Sequence, residues 1–166
     1  MSLVTQIDLN ITALLTKTLD LSTPLDNLVK KVPIRLATGT AANQADMLWH
    51  DTRTLAASAT EDLDLAGVLV DGLGTTETFK TIKVIIISAA TGNTNNVVAG
   101  NAASNQFPGS WGTTGTCSTA PGGETWCISP KTGWTVTAGT GDLLKIANSA
   151  AGTSVTYDII VIGTTV

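Results

Sequence analysis

"TFKTIKVIIIS", Thr78 to Ser88, is the most strongly patterned stretch of the chain. Read as a strand, it puts Ile82, Val84 and Ile86 on one face and Phe79, Ile85 and Ile87 on the other. A strand that is apolar on both faces sits in the middle of a sheet and is covered twice. The run "VIIISAA" at 84–90 is the longest compact apolar segment. It is far too short to span a bilayer. One such strand therefore predicts a layered β-protein.

The flanks read the same way. Upstream lie "MLWHDTRTL" at 47–55 and "EDLDL" at 61–65, followed by the turn-prone "AGVLVDGLG". Downstream come the turn "TGNTNN" at 91–96 and the strand "VVAGNA". A long Gly/Pro/Ser/Thr loop fills 104–124, and "TWCIS", "GWTVTA", "DLLKIANS" and "TSVTYDIIVIG" complete the set. The last two flank a small-residue turn around Ala150 to Gly152 and are expected to form a hairpin. Eight or nine short strands between turn signals predict an all-β, antiparallel β-sandwich over 46–166.

The first 45 residues are expected to be an N-terminal arm or an extra layer. Ile7, Leu9 and Ile11 alternate with polar residues, as in a half-buried strand. "STPLDNLVKKV", Ser22 to Val32, predicts a short helix, with a Ser or Thr cap, an early proline, and Leu25, Leu28, Val29 and Val32 at helical spacing. At most one or two short helices are expected in all. "ATGTAANQ" at 37–44 reads as a linking loop.

Composition narrows the function. Charged residues make up only 13% of the 166, and the net charge is −4. Nucleic-acid binding calls for clustered Lys and Arg, and Lys30–Lys31 is the only basic pair. No membrane partner is expected. "MSLVTQIDLN" lacks the basic start and apolar segment of a secretory signal. A surface rich in Thr, Gly, Ser and Asn, on a chain made in a cytoplasm, suits a virion protein assembled in a cell and later released.

No catalytic, cofactor or metal residues are assigned. On a strand, His50 and Asp51 point to opposite faces and form no acid–base pair. Asp51 shares a face with Arg53, as a structural pair. His50 lies with Thr52 and Thr54, toward solvent or an interface. Asp62 and Asp64 share the outer face of their strand, and a calcium site there would need six to eight oxygens. There is no G-x-S-x-G elbow or phosphate-binding loop, and "GLGTTE" lacks the third glycine of a dinucleotide loop. Two cysteines and one histidine cannot complete a zinc site alone. Cys117 and Cys127 stay free in a reducing cytoplasm, or close a short loop whose disulfide would contribute about 2–3 kcal/mol.

Four tryptophans stand out against one tyrosine and two phenylalanines. Trp49 and Trp134 read as core. Trp111 shares the long loop with Phe107. That pair reads either as an interface, with a sugar-stacking variant, or as a loop tucked down by its own aromatics.

One further pattern extends across about half of the chain. Trp49, Asp51, Arg53 and Leu55, then Leu63 to Gly67, then Asp71, Gly74, Phe79 and Lys83 form one series of spaced residues. The C-terminal "DLLKIANSAAGTSVTYDI" forms a second. Together they resemble a group of small structural proteins of tailed bacteriophages. The resemblance implies a jelly-roll decoration, or cement, protein on the capsid surface of the virion. Its implied partners are the major capsid protein and other copies of itself, as a dimer or trimer. The candidate interface is Ile7, Leu9 and Ile11, with the arm adding a strand to a neighbour, together with Phe107 and Trp111. The alternatives are a receptor- or carbohydrate-binding module of a phage tail fibre and a bacterial carbohydrate-binding domain, the latter disfavoured by the N-terminus.

Overall fold

The computed structural model describes residues 2–166. Every regular element among them is a strand: β1 (Thr5–Thr16), β2 (Leu25–Thr38), β3 (Gln44–Ala45), β4 (Met47–Leu55), β5 (Thr60–Asp64), β6 (Leu69–Val70), β7 (Thr76–Glu77), β8 (Thr81–Ala89), β9 (Val97–Gly100), β10 (Thr116–Thr119), β11 (Glu124–Ile128), β12 (Trp134–Thr135), β13 (Leu143–Asn148) and β14 (Val155–Thr164). β10 lies inside the stretch expected to be loop throughout.

The body is a sandwich of two antiparallel sheets, ordered β11-β8-β14-β4 and β10-β9-β13-β5, with β12 added beside β8. Of the eight principal strands, the first neighbours the last and the second neighbours the seventh. The third lies between the sixth and eighth, and the fourth between the fifth and seventh. That is the jelly-roll order. Between the sheets lies the main core, with Phe79, Ile85, Ile87, Leu144, Ile146, Tyr157 and Ile159 fully buried.

β8 is central, between β11 and β14, and its two faces are covered separately. Ile85 and Ile87 face the main core, whereas Val84 and Ile86 lie in a second cluster on the outer side. Ile82 corrects the simple alternation, because it packs with the main core. The register explains it: Ile162 faces Val84 but Gly163 faces Ile82, so Lys83 is an extra residue in the ladder. Such a bulge shifts side-chain parity by one. A Cβ at position 163 would collide with the Thr81 carbonyl, so the bulge needs glycine there.

Two local expectations are overturned. The segments 142–149 and 153–163 do not form a hairpin. β13 pairs with β5 and β9, while β14 pairs with β4 and β8, so the turn between them crosses from one sheet to the other. Asn148, buried beneath that turn, donates to the Ala56 carbonyl at 3.0 Å and the Thr153 carbonyl at 2.7 Å. A short turn brings two strands together but does not make them partners when each has two others available.

The expected helix at Ser22–Val32 is also absent, because its residues from Leu25 onward belong to β2. β2 pairs with β1 from Thr5–Leu36 to Thr16–Leu25 without a break. Leu28 and Val32 fit a helix at four residues apart, but they also lie on one face of a strand, in line with Ile34 and Leu36. β-branched Val29, Val32 and Ile34 suit a strand, and β1 supplies the partner.

Candidate functional site: the N-terminal hairpin

The β1–β2 hairpin is both an extra layer and an arm. Directly opposed residues of an antiparallel pair lie on the same face. One face therefore carries the rungs Ile7–Ile34, Leu9–Val32, Ile11–Lys30, Ala13–Leu28 and Leu15–Asp26. The other carries Gln6–Arg35, Asp8–Pro33, Asn10–Lys31, Thr12–Val29 and Leu14–Asn27. At its base, Ile7 and Leu36 are buried with Ala45, Val84 and Ile162, and Ile86, Ile128 and Ile160 pack around them. The base thus covers the outer face of the β11-β8-β14-β4 sheet. On its polar side, Arg35 donates to Asp8 at 2.9 Å. The Asp8 carboxyl is held below its usual range by hydrogen bonds from Gln6 and Arg35.

Beyond β11 the hairpin outruns the sandwich. The apolar face continues through Leu9 and Ile11, each 44% exposed, to Leu28 and Leu15 at 53% and 72%. On the other face the outer part turns apolar as well, with Leu14, Val29 and Leu25 all exposed. The ends are joined by a tight turn in which Leu19 N–H donates to the Ser22 carbonyl at 2.9 Å. Leu21 in this turn is fully exposed. Where the arm leaves the body, Leu9, Val32 and Ile34 meet Trp126 and Ile128 of β11 and form an open groove. The Trp126 indole N–H donates to Glu124 at 2.7 Å, which fixes the ring against that groove.

The candidate interface residues therefore separate. Leu9 and Ile11 are accessible on the arm. Ile7 is not, because it covers the protein's own sheet. β1 is not an unpaired strand, since β2 pairs with one of its edges along its whole length; its other edge, at the rim of the β1-β2-β3 sheet, has no strand partner among the described residues. Phe107 is corrected too: it is fully buried in the main core, drawn in where its N–H donates to the Leu143 carbonyl at 2.9 Å. Trp111 is half-buried and packs against that core. Its indole lies where a Cβ on Gly100 or Gly109 would be. This is the tucked-loop reading of the aromatics. Trp126, on β11, is the most exposed of the four tryptophans.

Several polar residues tie the strands together. Arg53 donates to Asp51 at 2.8 Å and to Glu61 at 2.7 Å, and Glu61 also accepts from the Tyr157 hydroxyl at 2.6 Å. The network ties β4 and β14 of one sheet to β5 of the other. Burial, reinforced by Glu61, pushes the Tyr157 phenol above its ordinary range. His50 is exposed on the outer face, beside a shallow pocket lined by Asp46, Asp71, Leu73 and Glu77. Burial first, and the charge of Asp71 second, raise the Glu77 carboxyl. Asp64 accepts from the Ala66 N–H at 2.8 Å, closing the turn after β5. Among the described residues no group of three or more His, Cys, Asp or Glu side chains is arranged to hold a metal ion. No helix among them is long and apolar enough to cross a membrane. Both thiols are free; Cys127 accepts from the Ser110 hydroxyl at 3.1 Å, and its burial raises its pKa.

The chain matches no family model, no curated protein and no solved structure in the comparisons made.

Proposed function

We propose that this is a virion structural protein that decorates a tailed-phage capsid and binds the outer surface of the major capsid protein lattice. The observation that carries the reading is the outer half of the hairpin. It holds apolar side chains on both faces, clear of the protein's own core. A sheet segment apolar on both faces is normally covered twice, and an exposed apolar patch of this kind marks an interaction surface. The jelly-roll body, its sparsely charged surface and the resemblance of its strand residues to those of phage structural proteins support that reading. A decoration protein stabilises its lattice by binding the assembled form, which asks for a rigid body and a docking arm rather than a reactive centre.

The experiment is a count of copies per purified parent particle by quantitative mass spectrometry, with a cryo-EM map to locate them. The expected result is a copy number comparable to that of the major capsid protein, with density on the capsid exterior. A few copies confined to the tail would replace this reading with the tail-fibre one. Absence from the particle would overturn both.

A further inference from the structure

Resting on the reading of the hairpin as a docking arm, we infer that the free edge of β1 pairs with the same edge of a second copy of this chain. The two strands run antiparallel about a two-fold axis at Ala13 and join the hairpins into one four-stranded sheet.

The hairpin's two edges are built differently. Lys17 N–H donates to the Pro24 carbonyl at 3.1 Å. In an antiparallel ladder hydrogen-bonded pairs recur at every second rung, here from Leu15–Asp26 inward to Thr5–Leu36. The N–H and C=O groups of Asp8, Asn10, Thr12 and Leu14 therefore point away from β2, along the edge that has no strand partner among the described residues. β2 guards its own outer edge. Pro33 has no N–H to offer there, Lys30, Lys31 and Arg35 lie along it, and β3 pairs with it at Ala37 and Thr38. Lysine, proline and cover are the devices that keep sheet edges from pairing. β1 lacks all three: it has no proline, and no charge from Leu9 to Thr16. Two such edges meet without repulsion, whereas two β2 edges would set lysines against lysines.

Symmetry and charge set the register. A two-fold axis perpendicular to the joined sheet requires each residue to lie opposite one of the same face. With the axis at Ala13, Ile11 lies opposite Leu15 on one face and Thr12 opposite Leu14 on the other. Ala13 meets itself in a non-hydrogen-bonded pair, where Cα atoms approach to about 4.5 Å, and it is the smallest side chain of the strand. Lys17 then lies opposite the other copy's Leu9, beside the groove that Leu9 lines with Trp126 and Glu124. Lys17 and Glu124 are both exposed, and neither is in an ion pair among the described residues. The pairing brings them together twice per dimer. An axis at Thr12 would instead bring the Leu15–Asp26 rung beside Leu9, and Asp26 toward the same carboxylate.

There is room for the second hairpin. Beyond the free edge the outer sheet face continues with the row Trp126, Ile86, Ile160 and His50, and Trp126 and His50 are exposed. Each copy's turn runs beside the other's free edge, over this strip, and not against the buried face of the hairpin base. β11 lies beneath Leu9, and the other copy's Leu9 stands at the level of Lys17, about 26 Å along the strand at about 3.3 Å per residue, so the two bodies stay apart. The face with Leu14, Val29 and Leu25 points the same way in both copies and stays free for the lattice.

The test is sedimentation equilibrium of the full chain, beside variants whose fold is checked by circular dichroism. A dimer is expected. Thr12→Pro removes a donor at the free edge and no bond to β2, and should raise the dimer Kd by about tenfold or more. Lys17→Glu and Glu124→Lys should each raise it by about fivefold, and the two together should restore it. Ala13→Cys, on the axis, should give a disulfide-linked dimer with oxidised glutathione. Leu28→Cys, on the same rung but one strand further from the axis, should not, nor should the parent chain with its own two thiols. A monomer, a trimer, a dimer indifferent to Thr12→Pro, a double exchange that fails to rescue, or linkage through Leu28 in place of Ala13 would overturn the edge pairing. Capsids decorated by a monomeric chain would sink the dimer and leave the decoration reading intact. A dimer that no capsid binds would do the reverse.

Discussion

The β8–β14 pair and the outer half of the β1–β2 hairpin are built from similar residues and meet different fates. Both are antiparallel and apolar on two faces, the first through isoleucine and valine, the second mainly through leucine. Ile85, Ile87, Ile159 and Val161 are essentially inaccessible, because the second sheet covers one side and the hairpin base the other. Leu14, Leu15, Leu25 and Leu28 remain more than half exposed, because the sandwich ends at β11. The same apolar surface stabilises the fold in the first region and is available for binding in the second. The hairpin contains the transition between them, from buried Ile7 to exposed Leu15 along a single face.

That contrast breaks most easily at its buried end. Ile85→Ala should destabilise the protein by about 2–5 kcal/mol, the range for emptying a packed core position. Chemical denaturation would read it, and a loss under about 0.5 kcal/mol, typical of surface positions, would mean that the two sheets are not packed as described. Ile7→Ala should cost less, about 1–3 kcal/mol, because it opens only the cover over Val84 and Ile162. A negligible loss would detach the hairpin base from the body and make the whole of residues 5–38 an arm.

Glu77→Gln tests the body's polar edge. A carboxyl whose folded pKa is raised above its ordinary 4.5 favours the fold while protonated. That contribution is complete below the ordinary value and is lost as pH rises through the raised one. The amide carries no charge and keeps a donor for Asp71. It should therefore raise the melting temperature at neutral pH and bring no gain in acid. A pH-independent difference would mean that Glu77 is solvated. The smallest effect is expected at Leu15→Ala, within about 0.5 kcal/mol of the parent in stability but weaker in binding to capsids. A large loss of stability there would show that the arm folds back on its own body.

The body was legible because strand periodicity and burial agree in it. Trp49, Leu63 and Leu65 point inward as their alternation requires, and Asp51 pairs with Arg53 across one strand face. The errors fall where a local signal permits two answers. Leu25, Leu28, Val29 and Val32 satisfy a helix and a strand equally, and only the availability of β1 decides between them. Phe107 sits in a Gly/Pro-rich loop that composition places at the surface, yet its backbone bonds to Leu143 and carries the ring into the core. Trp126 became part of a groove only because the hairpin crosses beside β11.

The order of apolar and polar residues by itself determined that the body of this chain, 46–166, is built of strands and that β8 lies in the middle of a sheet. Those properties follow from the two-residue period of the strand and from the side chains each residue carries. The tertiary structure alone decided which strands pair across the sandwich, what covers the outer face of β8, and where along the hairpin burial stops. Those depend on contacts between residues far apart in the chain, and on where β11 ends the sheet beneath the arm. No window of local sequence holds that distance.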